Sequence, residues 1–344
     1  MSSSSSKYRS RQIQDSVIGF SISYQRENLL ARGLGLEHIR ELLLRLARPM
    51  LRQSASLAYG GHWKETEDNF TYDLLRLISA EQEDNSLGGP DSNLSIGRLY
   101  SHSSWPYYLD VTPAIEAQWI NCCRIVRISQ ADVGFQPGEI VPDGEARNNS
   151  ARSVFNAAVC LSAMRRIMMQ PRTIHVPDIN HTERIPPVVA RVILGGKTSG
   201  YAGFMPGIFE EALSTIDEGR PLYLLGGFGG ATETLAQAIL GTGHAAPAPE
   251  FTTAWHEKTT KGYTELLQSL TSFTLPAGVP APRAAFESLW NKILEARAQP
   301  SATLRTGLSD DKTRELLSTR DINLAIRLVR EGLTNQNKLP PLAA

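Results

Sequence analysis

No stretch of the chain strings together the roughly 18 apolar residues that a bilayer-spanning helix requires, so the sequence predicts no membrane span. The opening MSSSSSKYRSRQIQDS is serine-rich and basic but lacks the apolar segment of a secretory signal, and residues 1–15 read as a disordered tail. Net charge is also absent, because 35 Lys and Arg balance 35 Asp and Glu. A neutral chain has no overall field to draw it to nucleic acid or anionic lipid, so any anion site must be local. Lys7, Arg9 and Arg11 are too few to change that. The three cysteines, Cys122, Cys123 and Cys160, form neither an even-numbered framework nor a C-x-x-C pair. That excludes a disulfide scaffold and a zinc ribbon and suits a reducing compartment, so a cytoplasmic protein is expected. There is no internal repeat and no G-x-S-x-G nucleophile elbow. His175, Asp178 and His181 have suggestive spacing, yet they lie in a Pro-flanked connection without a regular face, and no metal site is expected.

What is present is an alternation of short apolar runs with longer amphipathic ones, the pattern of strands feeding helices in a parallel sheet. Strands are predicted at 17–22, 55–61, 123–128, 188–194 and from 222, and helices at 36–53, 70–78, 113–121, 148–170 and 206–219. The helix at 36–53 should bury Ile39, Leu42, Leu43, Leu46 and Met50. Residues 81–97, rich in Gly, Pro, Asn and Asp, read as a loop, and 171–187 as a Pro-containing connection. Further helices are expected near 254–270, 283–298 and 318–333. The predicted fold is α/β, a Rossmann-like open and mainly parallel sheet flanked by helices with a helical C-terminal portion. Residues 16–250 form its core, 251–335 are helices of the same domain, and 336–344 are a tail.

Three glycine clusters share one context, the carboxyl end of a predicted strand: Gly60–Gly61, Gly195–Gly196 and Gly226–Gly230. Ligands of open α/β sheets bind at that edge, so the clusters can line one crevice where a ligand approaches bare backbone. Tight strand-to-helix turns are the other reading of each. The helix after Gly229–Gly230 should offer unpaired amides and a partial positive charge to a phosphate, with Thr232 adding a hydroxyl. A dinucleotide fingerprint is a poor match, because Gly227, Gly229 and Thr232 miss the third glycine and Glu250 falls in a Pro-rich loop. In VILGGKTSGYAGFMPGIFEEAL, Lys197 follows a glycine turn and can face a phosphate. Glu210 and Glu211 either complement the helix dipole or accept hydrogen bonds from a ribose diol. Together the two runs imply a nucleotide-like ligand.

The run GGK-TSGYAG-MPGI-EEAL followed by GRPLYLLGGFGGATE resembles the SLOG superfamily, the Rossmann-like group related to the LOG phosphoribohydrolases. It is most similar to the SLOG sensor domains of Thoeris-type antiphage proteins. IGFSIS, ASLAYGG, LYSHSSWPYYLD, LSAMRR and STRDINLAIRLVREGL extend the likeness over most of the chain. The resemblance implies an NAD-derived or ADP-ribose-like signal, cyclic or linear, with no required cofactor. It implies action through homo-oligomerisation or an effector protein in trans, in antiviral defence. The ligand set it implies comprises Ser21, Ser23, Gly60, Gly61, Arg165, Gly195, Gly196, Lys197, Gly203 and Gly207, then Glu210, Glu211, Gly226, Gly227, Phe228, Gly229, Gly230 and Thr232. Against the P-G-G-x-G-T-x-x-E of LOG enzymes the chain reads Leu225 to Glu233, with the Pro and Thr replaced and Glu233 kept. The helix from Pro206 to Gly219 has no basic residue to serve as their catalytic Arg. Arg165 is the candidate replacement cation, a salt-bridged helix position being its other reading. The alternative function is a LOG-like N-glycosidase in which Glu233 stabilises the cationic ribose.

Overall fold

The computed structural model describes residues 16–66, 69–87, 98–176, 181–242 and 248–336. Strands β1 (Val17–Ile22), β2 (Ser56–Tyr59), β3 (Leu99–Ser104), β4 (Cys123–Ile128), β7 (Val188–Leu194) and β8 (Leu222–Leu224) form a six-stranded sheet in the order β4-β3-β2-β1-β7-β8. Every neighbouring pair is parallel. The chain thus builds outward from β1 in one direction through β4 and in the other through β7 and β8. The order reverses beside β1, where the loops leaving β1 and β7 diverge and open a crevice.

Both faces of the sheet are buried, and successive residues alternate between two cores as the strand period requires. Ile18, Phe20, Ile22, Leu57 and Tyr59 face α2 (Leu36–Arg52) and α3 (Phe70–Leu87), while Val17, Ala58, Tyr100 and Val126 face α5 (Ala151–Ile167). A short α1 (Arg26–Leu30) follows β1, and α4 (Pro113–Trp119) precedes β4. In α2 the expected stripe of Ile39, Leu42, Leu43, Leu46 and Met50 is buried. Ser150 caps α5 by accepting from the Ser153 amide.

Beyond β7 the chain forms α6 (Gly207–Asp217), β8, α7 (Gly230–Leu240) and further helices that include α8 (Thr253–Thr259), α9 (Tyr263–Ser269), α10 (Pro282–Ala298), α11 (Asp310–Ser318) and α12 (Ile322–Asn335). The three-residue β8 is an edge strand, and the C-terminal portion covers it: the Leu222 amide donates to the Leu304 carbonyl and the Tyr223 hydroxyl to that of Thr306.

The sequence reading departs from the structure in four places. LYSHSS is a fully buried strand, hidden because four of its six residues are Ser or His. The connection at 171–187 contains an antiparallel hairpin, β5 (Arg172–Val176) with β6 (His181–Ile185). The helix from Phe70 continues to Leu87, into the stretch read as a loop. The single helices expected at 254–270 and 318–333 are each part of a pair. Gly262, with φ of +79°, breaks the first pair, and Asp321 caps the second helix of the other pair at the Asn323 and Leu324 amides.

Candidate functional site

The carboxyl ends of β1, β2, β3 and β7 surround a cavity of about 460 Å³. Its walls come from each strand tip in turn: Ser21 and Ser23 from β1 and its exit, Tyr59 to His62 from β2, His102 to Ser104 from β3, and Gly196 with Lys197 after β7. The start of α6 and one face of α5, with Met164 and Arg165, close the remaining side.

Beneath this cavity lies a cation that the sequence reading passed over. Arg191 stands alone among apolar residues in VVARVIL, and its side chain is completely buried. Such a group survives in a core only when its donors are satisfied. Its Nη1 donates to Ser21 Oγ at 2.9 Å, its Nε donates to Thr215 Oγ1 at 3.1 Å, and Glu211 Oε1 lies 3.7 Å from Nη1. Burial pushes the Arg191 pKa down, partly offset by Glu211. The signal in the sequence was the charge itself, since an apolar parallel strand has no other place for Arg than against a polar partner.

Glu210 and Glu211, adjacent on α6, divide their work. Glu210 turns to α5, accepting from Ser162 Oγ at 2.6 Å and pairing with Arg165 Nη1. Glu211 lines the cavity. Burial drags the Arg165 guanidinium down, but Glu210 and Glu211 outweigh it and hold its pKa above the usual value. Arg165 therefore combines both roles considered for it, ion-paired on its helix and presented to the cavity. Lys197 is exposed and makes no ion pair among the described residues, so the cavity wall sets two cations, Arg165 and Lys197, against one carboxylate, Glu211, with Glu210 and Arg191, the ion-pair partners of Arg165 and Glu211, behind it. The local field is positive in a chain of zero net charge.

Donors for an anion converge on the same space. The amides of Gly207 and Ile208 open α6 and have no backbone partner among the described residues, as expected at a helix start. Both residues line the cavity. Ser21 and Ser23 accept from Arg191 and from the Gly196 amide respectively, which leaves their hydroxyl protons to donate inward. Ser104, 1% exposed and lining the cavity, has a buried Oγ without a hydrogen-bond partner among the described residues. His102 places Nδ1 3.2 Å from the Tyr100 carbonyl, so that nitrogen carries the proton and Nε2 is an acceptor. Burial lowers its pKa to about 3, and the ring is neutral at physiological pH.

The third glycine cluster goes elsewhere. Gly226, Gly227, Phe228, Gly229, Gly230 and Thr232 do not line this cavity. A Cβ on Gly226 would overlap the Leu317 carbonyl, and one on Gly227 the carbonyl of Thr319, so these glycines allow the C-terminal helices to press on the sheet edge. The N-terminus of α7, expected to hold a phosphate, is already occupied. The Ala231 and Thr232 amides donate to the Gly196 and Gly195 carbonyls at 2.8 Å, and Thr232 Oγ1 donates to Gly195 at 2.9 Å. Gly195 and Gly196 can point their carbonyls there because both adopt positive φ, +74° and +91°. The helix start that faces the cavity is that of α6. Gly203 lies beyond the cavity, in the loop before α6.

Glu233, in the first turn of α7, pairs with Arg32, whose side chain packs over Gly229. It is not a cavity-lining residue. Asp178 lies outside the described residues, and among those described no group of three or more His, Cys, Asp or Glu could hold a metal. Cys122, Cys123 and Cys160 are buried and free, with burial raising Cys123 and Cys160 to about 12, so they pack as inert thiols. No helix among the described residues is long and apolar enough to cross a membrane. The family model described as SLOG cluster2 matches residues 12–316. No curated protein matches the chain.

Proposed function

Since this chain belongs to the SLOG cluster2 family, we propose that its strand-tip cavity is a receptor site for an NAD-derived or ADP-ribose-like signalling nucleotide, cyclic or linear. The observation that carries the reading is the meeting, in one cavity, of a free helix start at Gly207–Ile208, the cations Arg165 and Lys197, and the carboxylate of Glu211. The first two suit phosphate oxygens, by dipole and by charge. Glu211 suits a ribose diol, because an ionised carboxylate only accepts hydrogen bonds. His102 and Ser104 supply an acceptor and a donor for hydroxyl or ring atoms.

Binding is favoured over hydrolysis because Glu233, the residue retained from the phosphoribohydrolase motif, is spent on Arg32 outside the cavity. A glycosidase needs its carboxylate against the developing ribosyl cation. The resemblance of its motifs to Thoeris-type sensor domains supports a role in antiphage defence. Such a receptor acts by changing its own oligomeric state or by engaging an effector in trans.

Incubating the protein with AMP, NAD, ADP-ribose and cyclic ADP-ribose tests this directly. A melting temperature raised by ligand that chromatography recovers intact is the expected result, with stabilisation of about 2.7 kcal/mol at a hundredfold excess over Kd. Release of ribose 5-phosphate would move the protein to the glycosidase class, and no shift with any nucleotide would sink the reading. Light scattering with and without the stabilising ligand then separates self-assembly from action in trans.

A further inference from the structure

Beside the strand-tip cavity lies a second hollow of about 450 Å³. The two share a boundary, since Tyr107, Tyr201 and Ala202 line both. Tyr107 comes from the turn after β3 and Tyr201 from the glycine-rich loop after β7. A molecule seated on the strand tips therefore meets both rings where it leaves the inner space. Tyr107 is 36% exposed, and its hydroxyl is close enough to feel Arg165 of the inner cavity and Arg147 of the outer one.

The outer hollow has its own chemistry. Tyr201, partly exposed, stands at the hollow with its ring backed edge to face by the buried Tyr263, centroids 6.1 Å apart. Val154, on the solvent side of α5, supplies apolar floor and is 40% exposed. Lys64 and Lys261 stand at the hollow without an ion pair among the described residues, whereas Arg147 is held by Asp110. Aromatic faces beside free cations receive a base and its phosphate, because every base has a stacking face and every phosphate a charge.

We infer that the two hollows form one bipartite site, whose occupant is a dinucleotide with one nucleoside unit on the strand tips, a phosphate bridge passing Tyr107 and Tyr201, and the second ring-bearing unit in the outer hollow. The inference rests on the nucleotide reading above and goes further, by assigning the second hollow and hence the length of the ligand. A mononucleotide fills only the inner space and forgoes the outer contacts.

The test is calorimetric titration of AMP and NAD into the wild-type protein and into Val154→Trp, whose indole would fill the outer hollow from an already exposed position. NAD should bind the wild type at least tenfold more tightly than AMP. Val154→Trp should erase that advantage and leave AMP binding within about twofold, the tenfold figure lying within the usual value of one stacked base. Lys64→Ala combined with Lys261→Ala, two exposed positions, should weaken NAD alone by severalfold and serves if the tryptophan variant does not fold. Equal wild-type affinities for the two nucleotides, or variants that weaken both equally or neither, would overturn the bipartite site and leave the inner one standing. Failure of AMP and NAD alike to bind the wild type would overturn the bipartite site, and failure of ADP-ribose and cyclic ADP-ribose as well would remove the nucleotide reading.

Discussion

Two glycine turns leave neighbouring strands of this sheet and meet opposite fates. The turn after β7, Gly195–Gly196–Lys197, carries Gly196 and Lys197 onto the wall of a cavity. The turn after β8, Gly226–Gly230, is filled by protein: Leu317 and Thr319 carbonyls press on its first half, and Arg32 and Asn28 on Gly229. In the turn after β7 glycine also makes room for protein, since a Cβ on Gly195 would overlap the Ser23 carbonyl and one on Gly196 the Ile208 side chain, but the turn delivers Lys197 to the cavity. In the closed turn it removes side chains so that other backbone can enter. The composition of a glycine cluster reports close approach, and the partner in that approach is decided by what the rest of the chain brings.

The strongest way to break this comparison is to remove the cation beneath the open turn. Arg191→Met should cost about 3–5 kcal/mol of stability in denaturant unfolding, because it strands a largely buried Glu211 carboxylate and the Ser21 hydroxyl. A loss below about 1 kcal/mol would mean that Arg191 does not organise the cavity floor.

Acid is the next largest perturbation. Burial holds His102 at about 3 and His256 at about 4, whereas both titrate near 6.5 when unfolded. The unfolded chain therefore binds more protons in the window from about 6.5 down to about 4, and stability falls as pH drops through it. From pH 7 to 5 each histidine should contribute a loss of about 2 kcal/mol. His102→Asn should remove one share of the slope, and a melting temperature flat over this range would contradict their burial in the neutral form.

Paired glycine substitutions sharpen the contrast. Gly227→Ala forces a methyl into the Thr319 carbonyl and should destabilise by about 1–3 kcal/mol, with nucleotide affinity of the folded fraction unchanged. In Gly207→Ala the methyl would lie 2.7 Å from Arg165 Nη2, a side chain and not backbone, so stability should change less while nucleotide affinity drops as the guanidinium is displaced. The reverse pattern in calorimetry and thermal melts would exchange the roles of the two turns.

The smallest stability effect, under about 1 kcal/mol, is expected for Glu233→Gln, whose pair with Arg32 is partly exposed. Glu211→Gln should lower nucleotide affinity by about tenfold, the value of one hydrogen bond to a charged group. Glu233→Gln should leave affinity where it was. Equal losses would put Glu233 at the ligand and revive the glycosidase reading.

Much of this architecture was legible in the one-dimensional pattern. Apolar runs of strand length, separated by amphipathic helices such as Leu36–Arg52, required a parallel sheet covered on both faces. Glycines at strand ends marked the edge of the sheet where ligands gather. The polar strand Leu99–Ser104 escaped notice because its side chains serve a cavity, and a strand that lines a hollow need not look hydrophobic. Arg191 was visible as a letter but not as a buried ion, since its partners Ser21, Thr215 and Glu211 come from two other elements.

Local interactions set the period of each segment, the caps and the breaks at glycine, and all of these depend on residues a few positions apart. The division of labour between Glu210 and Glu211, the filling of the Gly226–Gly230 turn and the choice of the α6 start over that of α7 were decided only in three dimensions. Each depends on atoms tens or hundreds of positions away, and a free amide and one already bonded to a distant carbonyl are spelled alike.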